Sequence, residues 1–187
     1  MSDAIKRSSP KPVSYSALKK VPHIVSPRDL NGRNDMFGGA LFPYIDDVAA
    51  SVVRLHTHNM RIATALAHVK FLHPLGNNDL IHLYASINRV WNTSCEVGVK
   101  VLLVQFQGRH RRYVPATKAY LTFASLDKDA QGNRLPMPLV TPRTAAEQRR
   151  FGEADVRRAI WLAMDKDNTE EKLAAFTELL GTLGLPA

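Results

Sequence analysis

The sequence predicts an α+β domain: a curved antiparallel sheet wrapped around one long central helix, with a helical extension after it. Three observations carry this. A single buried-helix pattern begins at Gly38 or Gly39, four β-rich runs follow it in close succession, and helical patterning returns beyond residue 142.

Taken in order, residues 1–20 are rich in Ser, Pro and Lys without a sustained apolar period, which predicts a flexible N-terminal arm. A short extended segment at 21–26 and a polar loop at 27–35 come next. Leu41, Tyr44, Ile45, Val48, Ala49, Val52 and Val53 then cover much of a helical circumference, the pattern of a helix buried on most sides. Pro43 argues for a start at Gly39 or Ala40, because a proline is tolerated only near a helix's beginning.

The strand-like runs are 62–72, 80–91, 95–107 and 113–126. Alternation is clear in Ile81, Leu83, Ala85 and Ile87 and in Val97, Val99, Val101 and Leu103. Short separators at 74–79, 92–94 and 108–112 read as hairpin connections, so a meander is expected rather than a parallel sheet. After a loop at 127–142, Thr144 and Glu147 form a capping box that opens one helix. A second is expected from about Asn168 to Gly181, with Leu173, Phe176, Leu180 and Leu183 on one apolar face. The expected organisation is an arm at 1–20, a principal domain at 21–140 and a helical extension at 141–187, without internal repeats.

Composition bounds the function. No apolar run reaches the roughly 20 residues that cross a bilayer, and the first residues lack the apolar centre of an export signal, so a soluble cytoplasmic protein is expected. The one cysteine, Cys95, excludes an internal disulfide and any cysteine metal cluster. Lys and Arg total 25 against 17 Asp and Glu, a formal charge of +8, which favours a polyanionic or phosphate-rich partner. His56 and His58 are two apart and do not share a helical face, His73 precedes Pro74 at a strand end, and no metalloprotease pattern is present; no metal is expected.

The segment Asn31 to Gly39, followed by Asp46, is the most informative. A glycine pair at a helix start lets a ligand approach the backbone and leaves N–H donors at the positive end of the helix dipole, where a developing oxyanion is stabilised. Seven residues return almost to the same face, so Asp46 lies below Gly39 by about 10 Å, while Asp47 is turned away by about 100°. A carboxylate on an otherwise apolar helix is costly unless paired or used, which selects Asp46 as the candidate base. Thr93 and Ser94 sit at a turn and read equally well as turn chemistry. Arg109, His110, Arg111 and Arg112 form a basic cluster at a hairpin tip, either a solvated turn or a phosphate-recognition site to which Arg89 and Lys118 would add.

From about residue 21 to 139 the chain resembles the bacterial acyl-CoA thioesterases of the hot-dog superfamily. The resemblance rests on Asn31, Asp35-Met36-Phe37-Gly38-Gly39, Asp46, Lys70-Phe71-Leu72-His73-Pro74 with Asp79, Thr93-Ser94, and Ala116-Thr117-Lys118-Ala119. It implies hydrolysis of acyl-CoA to coenzyme A and a carboxylic acid, with coenzyme A as part of the substrate and no separate cofactor. It further implies that Asp46 is general base or nucleophile, that Asp35 assists from the facing subunit, and that N–H groups near Gly38 and Gly39 polarise the carbonyl. Asn31, Asn34, Phe37, Arg89, Thr93, Ser94, Arg111, Arg112 and Lys118 would contact substrate, with Ser94 along the pantetheine tunnel. A dimer is then the minimum active unit, with a tetramer or hexamer beyond it. Asn34 stands where the family commonly has Gly, and Pro43 is unusual in the helix. The competing expectations are a non-catalytic acyl-CoA-binding or regulatory hot dog, for which Asp46 would be unnecessary, and a hot-dog dehydratase or ester-synthesis partner, which would carry a catalytic His near the helix start, the neighbourhood Phe37 occupies here.

Overall fold

A computed structural model of the chain describes residues 9–165 and 169–182. Among them are β1 (Lys11–Pro12), β2 (Leu18–Ile24), α1 (Gly38–Thr57), β3 (Ile62–Phe71), β4 (Leu80–Val90), β5 (Ser94–Gln107), β6 (His110–Ser125), β7 (Val140–Thr141), α2 (Ala145–Met164) and α3 (Thr169–Thr182). Two compact units result, divided between Arg143 and Thr144.

In the first unit, β2 to β6 form one antiparallel sheet in the order β2-β4-β5-β6-β3. Its inner face is read off the alternation: Ile81, Leu83, Ala85 and Ile87 lie beside Leu103, Val101, Val99 and Val97, and Ala119, Leu121 and Phe123 continue the layer on β6. Against that face α1 sets Leu41, Ile45, Ala49, Val52, Val53 and His56, all buried and spaced by three or four residues. Burying each large aliphatic side chain contributes about 1.5–3 kcal/mol, and this layer is the core.

Three expectations about the sheet and the helix need correction. The sheet is not a simple meander: β3 pairs with β6 rather than with β4, so the link through residues 72–79 crosses to a strand three places away. Neighbouring strands are about 4.8 Å apart, a span that eight residues cover easily. The helix is not buried on most sides, since Pro43, Asp47, Ser51, Arg54 and Leu55 are exposed and the burial forms a single stripe. It starts at Gly38, one residue ahead of the earliest position that Pro43 favoured; the lost bond falls on the Gly39 carbonyl, at an end open to water.

The described part of the N-terminal arm is ordered. Lys11 and Pro12 pair in parallel with Val140 and Thr141, Val13 is buried, and Leu18–Lys20 already belong to β2. Two residues of ladder carry no periodicity, so composition alone read them as loose. The same ladder keeps residues 140 and 141 in the first unit.

The β5–β6 connection is also tighter than expected. Gly108, at φ 60°, turns the chain so that β6 resumes at His110, and Arg111 and Arg112 are strand residues opposite Phe106 and Gln105. In the second unit the capping box is formed: the Glu147 N–H donates to Thr144 Oγ1 at 3.2 Å and the Thr144 N–H to Glu147 Oε2 at 3.0 Å. The side chains of Leu173, Phe176, Leu180 and Leu183 lie outside the described residues.

Candidate active site

The loop entering α1 is shaped by short polar bonds. Asn31 Oδ1 accepts from the Arg33 N–H at 2.8 Å and the Asp35 N–H at 3.3 Å, while the Asp35 carbonyl accepts the Asn31 N–H at 2.8 Å. With its oxygen engaged, Asn31 has its amide NH2 to offer a ligand. Asn34 sits at φ 62°, the left-handed region where glycine is most at ease and asparagine the next best, which explains how Asn serves where the resembling family has Gly.

Asp29 anchors the loop from below. Its carbonyl accepts the Phe37 N–H at 2.8 Å, and its carboxylate accepts from the Ser26 N–H and hydroxyl at 2.8 and 2.7 Å. Burial pushes the Asp29 carboxyl up, but the two Ser26 bonds, with His23 and Tyr44 beside it, outweigh that and hold it below the ordinary value.

The helix start is open. Phe37 precedes α1 without a side-chain cap, and among the described residues the Gly38 and Gly39 N–H groups have no acceptor. An exposed ring crowds each of the two glycines. A Cβ on Gly38 would lie 2.8 Å from Phe71 Cζ, and one on Gly39 would collide with the Phe37 ring. Two exposed aromatic rings therefore fold over the helix start, beside a cleft of about 410 Å³ bordered by Asp35, Gly38, Leu41, Phe71, Leu75 and Thr117.

Asp46 is half-buried two turns along α1, and its Oδ1 accepts from Thr64 Oγ1 at 2.8 Å. Thr64 lies on β3, an edge strand whose outer side is unpaired. The sequence reading missed Thr64, because nothing local ties a strand threonine to a helix acid eighteen positions earlier. Asp46 and the Gly39 N–H are about 10 Å apart along the helix, whereas a base and an oxyanion donor must each stand about 3 Å from one reacting carbonyl. One copy of the chain does not bring them together.

The remaining candidates are scattered. Asp35 is exposed and borders the cleft, and Phe37 is exposed at the helix start. Thr93 and Ser94 lie at the opposite end of the sheet: Ser94 pairs with Ala124, seven residues and about 23 Å along β6 from Thr117. Arg111 and Arg112 project at the β5–β6 tip, but Lys118 stands further in, in register with Lys70 and Lys100, and Arg89 is half-buried opposite Glu96. The single basic field expected of Arg89, Lys118 and the tip is thus three separate locations, because strand length carries them apart. Burial, reinforced by Glu96, pushes the Cys95 thiol up to about 12, which makes it a core residue rather than a nucleophile. Among the described residues no group of three or more His, Cys, Asp or Glu is placed to hold a metal ion.

A sheet wrapped around a helix that starts on bare N–H groups and carries a buttressed carboxylate defines a hot-dog protein. Comparison with known proteins agrees. Residues 33–104 match the model of the thioesterase superfamily. The chain is 32% identical over 158 residues to a Bacillus subtilis protein named as an uncharacterised acyl-CoA thioester hydrolase, covering 84% of this chain and 87% of that one. Among solved structures, an acyl-CoA hydrolase from Staphylococcus aureus, in complex with butyryl coenzyme A, coenzyme A and coenzyme A disulfide, superposes with a TM-score of 0.73 at 29% identity, over 88% of this chain and 98% of that one. An apo hexameric acyl-CoA thioesterase does so at 0.71 and 28% identity, over 81% and 94%. The chain belongs to the thioesterase superfamily, among its acyl-CoA thioester hydrolases.

Proposed function

We propose that the protein hydrolyses acyl-CoA thioesters to coenzyme A and a carboxylic acid, with Asp46 as its acid–base residue. The observation that carries this reading is the Asp46 carboxylate, held by Thr64 on the helix whose first N–H groups are unsatisfied. Water bound at Asp46 gives a proton to the carboxylate as its oxygen adds to the thioester carbon. The resulting oxyanion is stabilised by the Gly38 and Gly39 N–H groups, a contribution of a few kcal/mol. Collapse breaks the C–S bond, and the proton passes from Asp46 to the departing thiolate. Thr64 is a positioning residue that fixes the carboxylate rotamer and leaves its other oxygen for water. No step calls for a metal.

The 10 Å separation of base and oxyanion donors favours a dimer in which each helix start faces the Asp46 of a second copy. The unpaired edge of β3, carrying exposed Thr64 and Ala65, supplies a surface for that pairing. Asp35 and Asn31 would reach the thioester from the same side as the glycines. Further association into a hexamer fits what is reported for the apo hexameric relative. The site at the β5–β6 tip, with Arg111 and Arg112, suits the nucleotide phosphates of coenzyme A. A cytosolic setting fits the lone, unpaired cysteine.

Thiol release from a panel of acyl-CoAs tests the reading. Wild type is expected to turn over at least one chain length, and Asp46→Asn to lose about 100-fold or more in kcat while still binding acyl-CoA. Absence of thiol release by the wild type from every member of the panel, with binding retained, would sink the enzyme in favour of a binder. Equal rates in both would move the chemistry away from Asp46.

A further inference from the structure

The floor of the cleft beside Gly38 is apolar, formed by Leu41 and Leu75 at 2% and 4% exposure. Thr117 is the exception. It lies on the inner face of β6, is fully buried, and its hydroxyl has no hydrogen-bond partner among the described residues. A buried hydroxyl left unpaired is a net loss to folding, whereas valine has the same shape and would remove the loss. The hydroxyl is therefore kept for something that one copy of the chain does not supply.

Phe71 indicates how it is reached. It stands opposite Thr117 in the β3–β6 register, is 54% exposed, and lays its ring against Gly38. The ring thus reaches from a position beside Thr117 to Gly38, whose N–H receives the thioester oxygen in the proposed reaction. Few neighbours hold a half-exposed side chain on an edge strand, so it can swing aside when an acyl group enters.

We propose that Thr117 hydrogen-bonds an oxygen carried on the acyl chain, so that the site favours short hydroxyacyl or oxoacyl thioesters over plain alkanoyl ones, with Phe71 as the movable cover. A threonine hydroxyl both donates and accepts, which suits either oxygen type. A plain chain leaves the hydroxyl unpaired in an apolar floor, and sites built around a polar group reject analogues that lack its partner. The proposal rests on the thioesterase reading for the placement of the carbonyl.

Three thioesters of equal carbon count, 3-hydroxybutyryl-, acetoacetyl- and butyryl-CoA, decide it. Wild type is expected to prefer the oxygenated pair by about tenfold in kcat/KM, the value of one net hydrogen bond. Thr117→Val should reduce the preference to within about twofold, and Thr117→Ser should retain it. The same ranking is expected in calorimetric binding to Asp46→Asn, where turnover plays no part. No preference in wild type, or an unchanged preference in Thr117→Val, overturns the proposal. Should the valine variant fail to fold, the wild-type ratio still decides. Ranked binding without any hydrolysis would defeat the thioesterase reading alone, while hydrolysis without ranking would defeat only the role of Thr117.

Discussion

The two ends of α1 are treated in opposite ways. At its start the chain supplies no side-chain cap and leaves the Gly38 and Gly39 N–H groups unpaired under two exposed rings. Its end is closed several times over. His58, in the left-handed conformation, and Asn59 both donate N–H groups to the Arg54 carbonyl, Thr57 Oγ1 bonds the Val53 carbonyl at 2.8 Å, and Lys11 Nζ bonds the His56 carbonyl. His56 itself is fully buried and donates from Nε2 to the Pro138 carbonyl at 2.9 Å. Stability is concentrated at the end that has no role in the proposed reaction, and the proposed oxyanion donors stand at the end left open.

Changes at either end should therefore separate activity from stability. The largest expected effect is at the open end. Gly39→Ala forces the Phe37 ring off its seat and disturbs the N–H donors, so kcat should fall by about 100-fold with the melting temperature within a few degrees of wild type. Equal losses of both would erase the contrast between the ends.

At the closed end, His56→Leu strands the Pro138 carbonyl and should cost about 1–3 kcal/mol, read from urea melts, with kcat per folded molecule preserved. The pH dependence has a definite sign. Burial, with the charges of Lys11 and His58 nearby, pulls His56 below its usual value against the opposing Pro138 bond, and its Nδ1 has no partner among the described residues. Protonation thus favours the unfolded chain: the stability it contributes is complete above about pH 6.5 and is lost as the pH falls through the lower folded value. Thermal melts from pH 7.5 to 5 should show a slope that His56→Leu lacks; identical slopes would remove His56 from the account.

Lys11→Met removes a cation from the helix terminus and should cost about 1 kcal/mol, again without loss of kcat. The smallest effect belongs to Pro43, which denies a donor to the Gly39 carbonyl. Pro43→Ala should raise the melting temperature by a few degrees, as calorimetry would register.

Much of this was legible in the sequence. The helix itself and the alternation of 81–87 and 97–103 are local patterns that the structure preserves, although it narrows the helix's burial to one stripe. The register linking Gly39 to Asp46 follows from helical geometry alone. What was not legible depends on partners distant in sequence. The pairing of β3 with β6, and with it the contact between Thr64 and Asp46, requires knowing the strand order. Thr117 stood within a quoted motif, yet only the sheet shows that its hydroxyl is buried beside a cleft without a partner. The basic tip read as a loop because a ribbon exposed on both faces carries no apolar alternation.

The ladder between Lys11–Pro12 and Val140–Thr141 has a consequence for synthesis. A chain made from its N-terminus can form α1 and lay it on the early strands, but the β1 clasp on the helix end waits until residue 141 has emerged. Ribosome-bound chains stalled before that point should be cleaved near residues 11–17 by added protease, and those stalled well beyond it should resist. The first residues of the ordered fold are among the last to be secured.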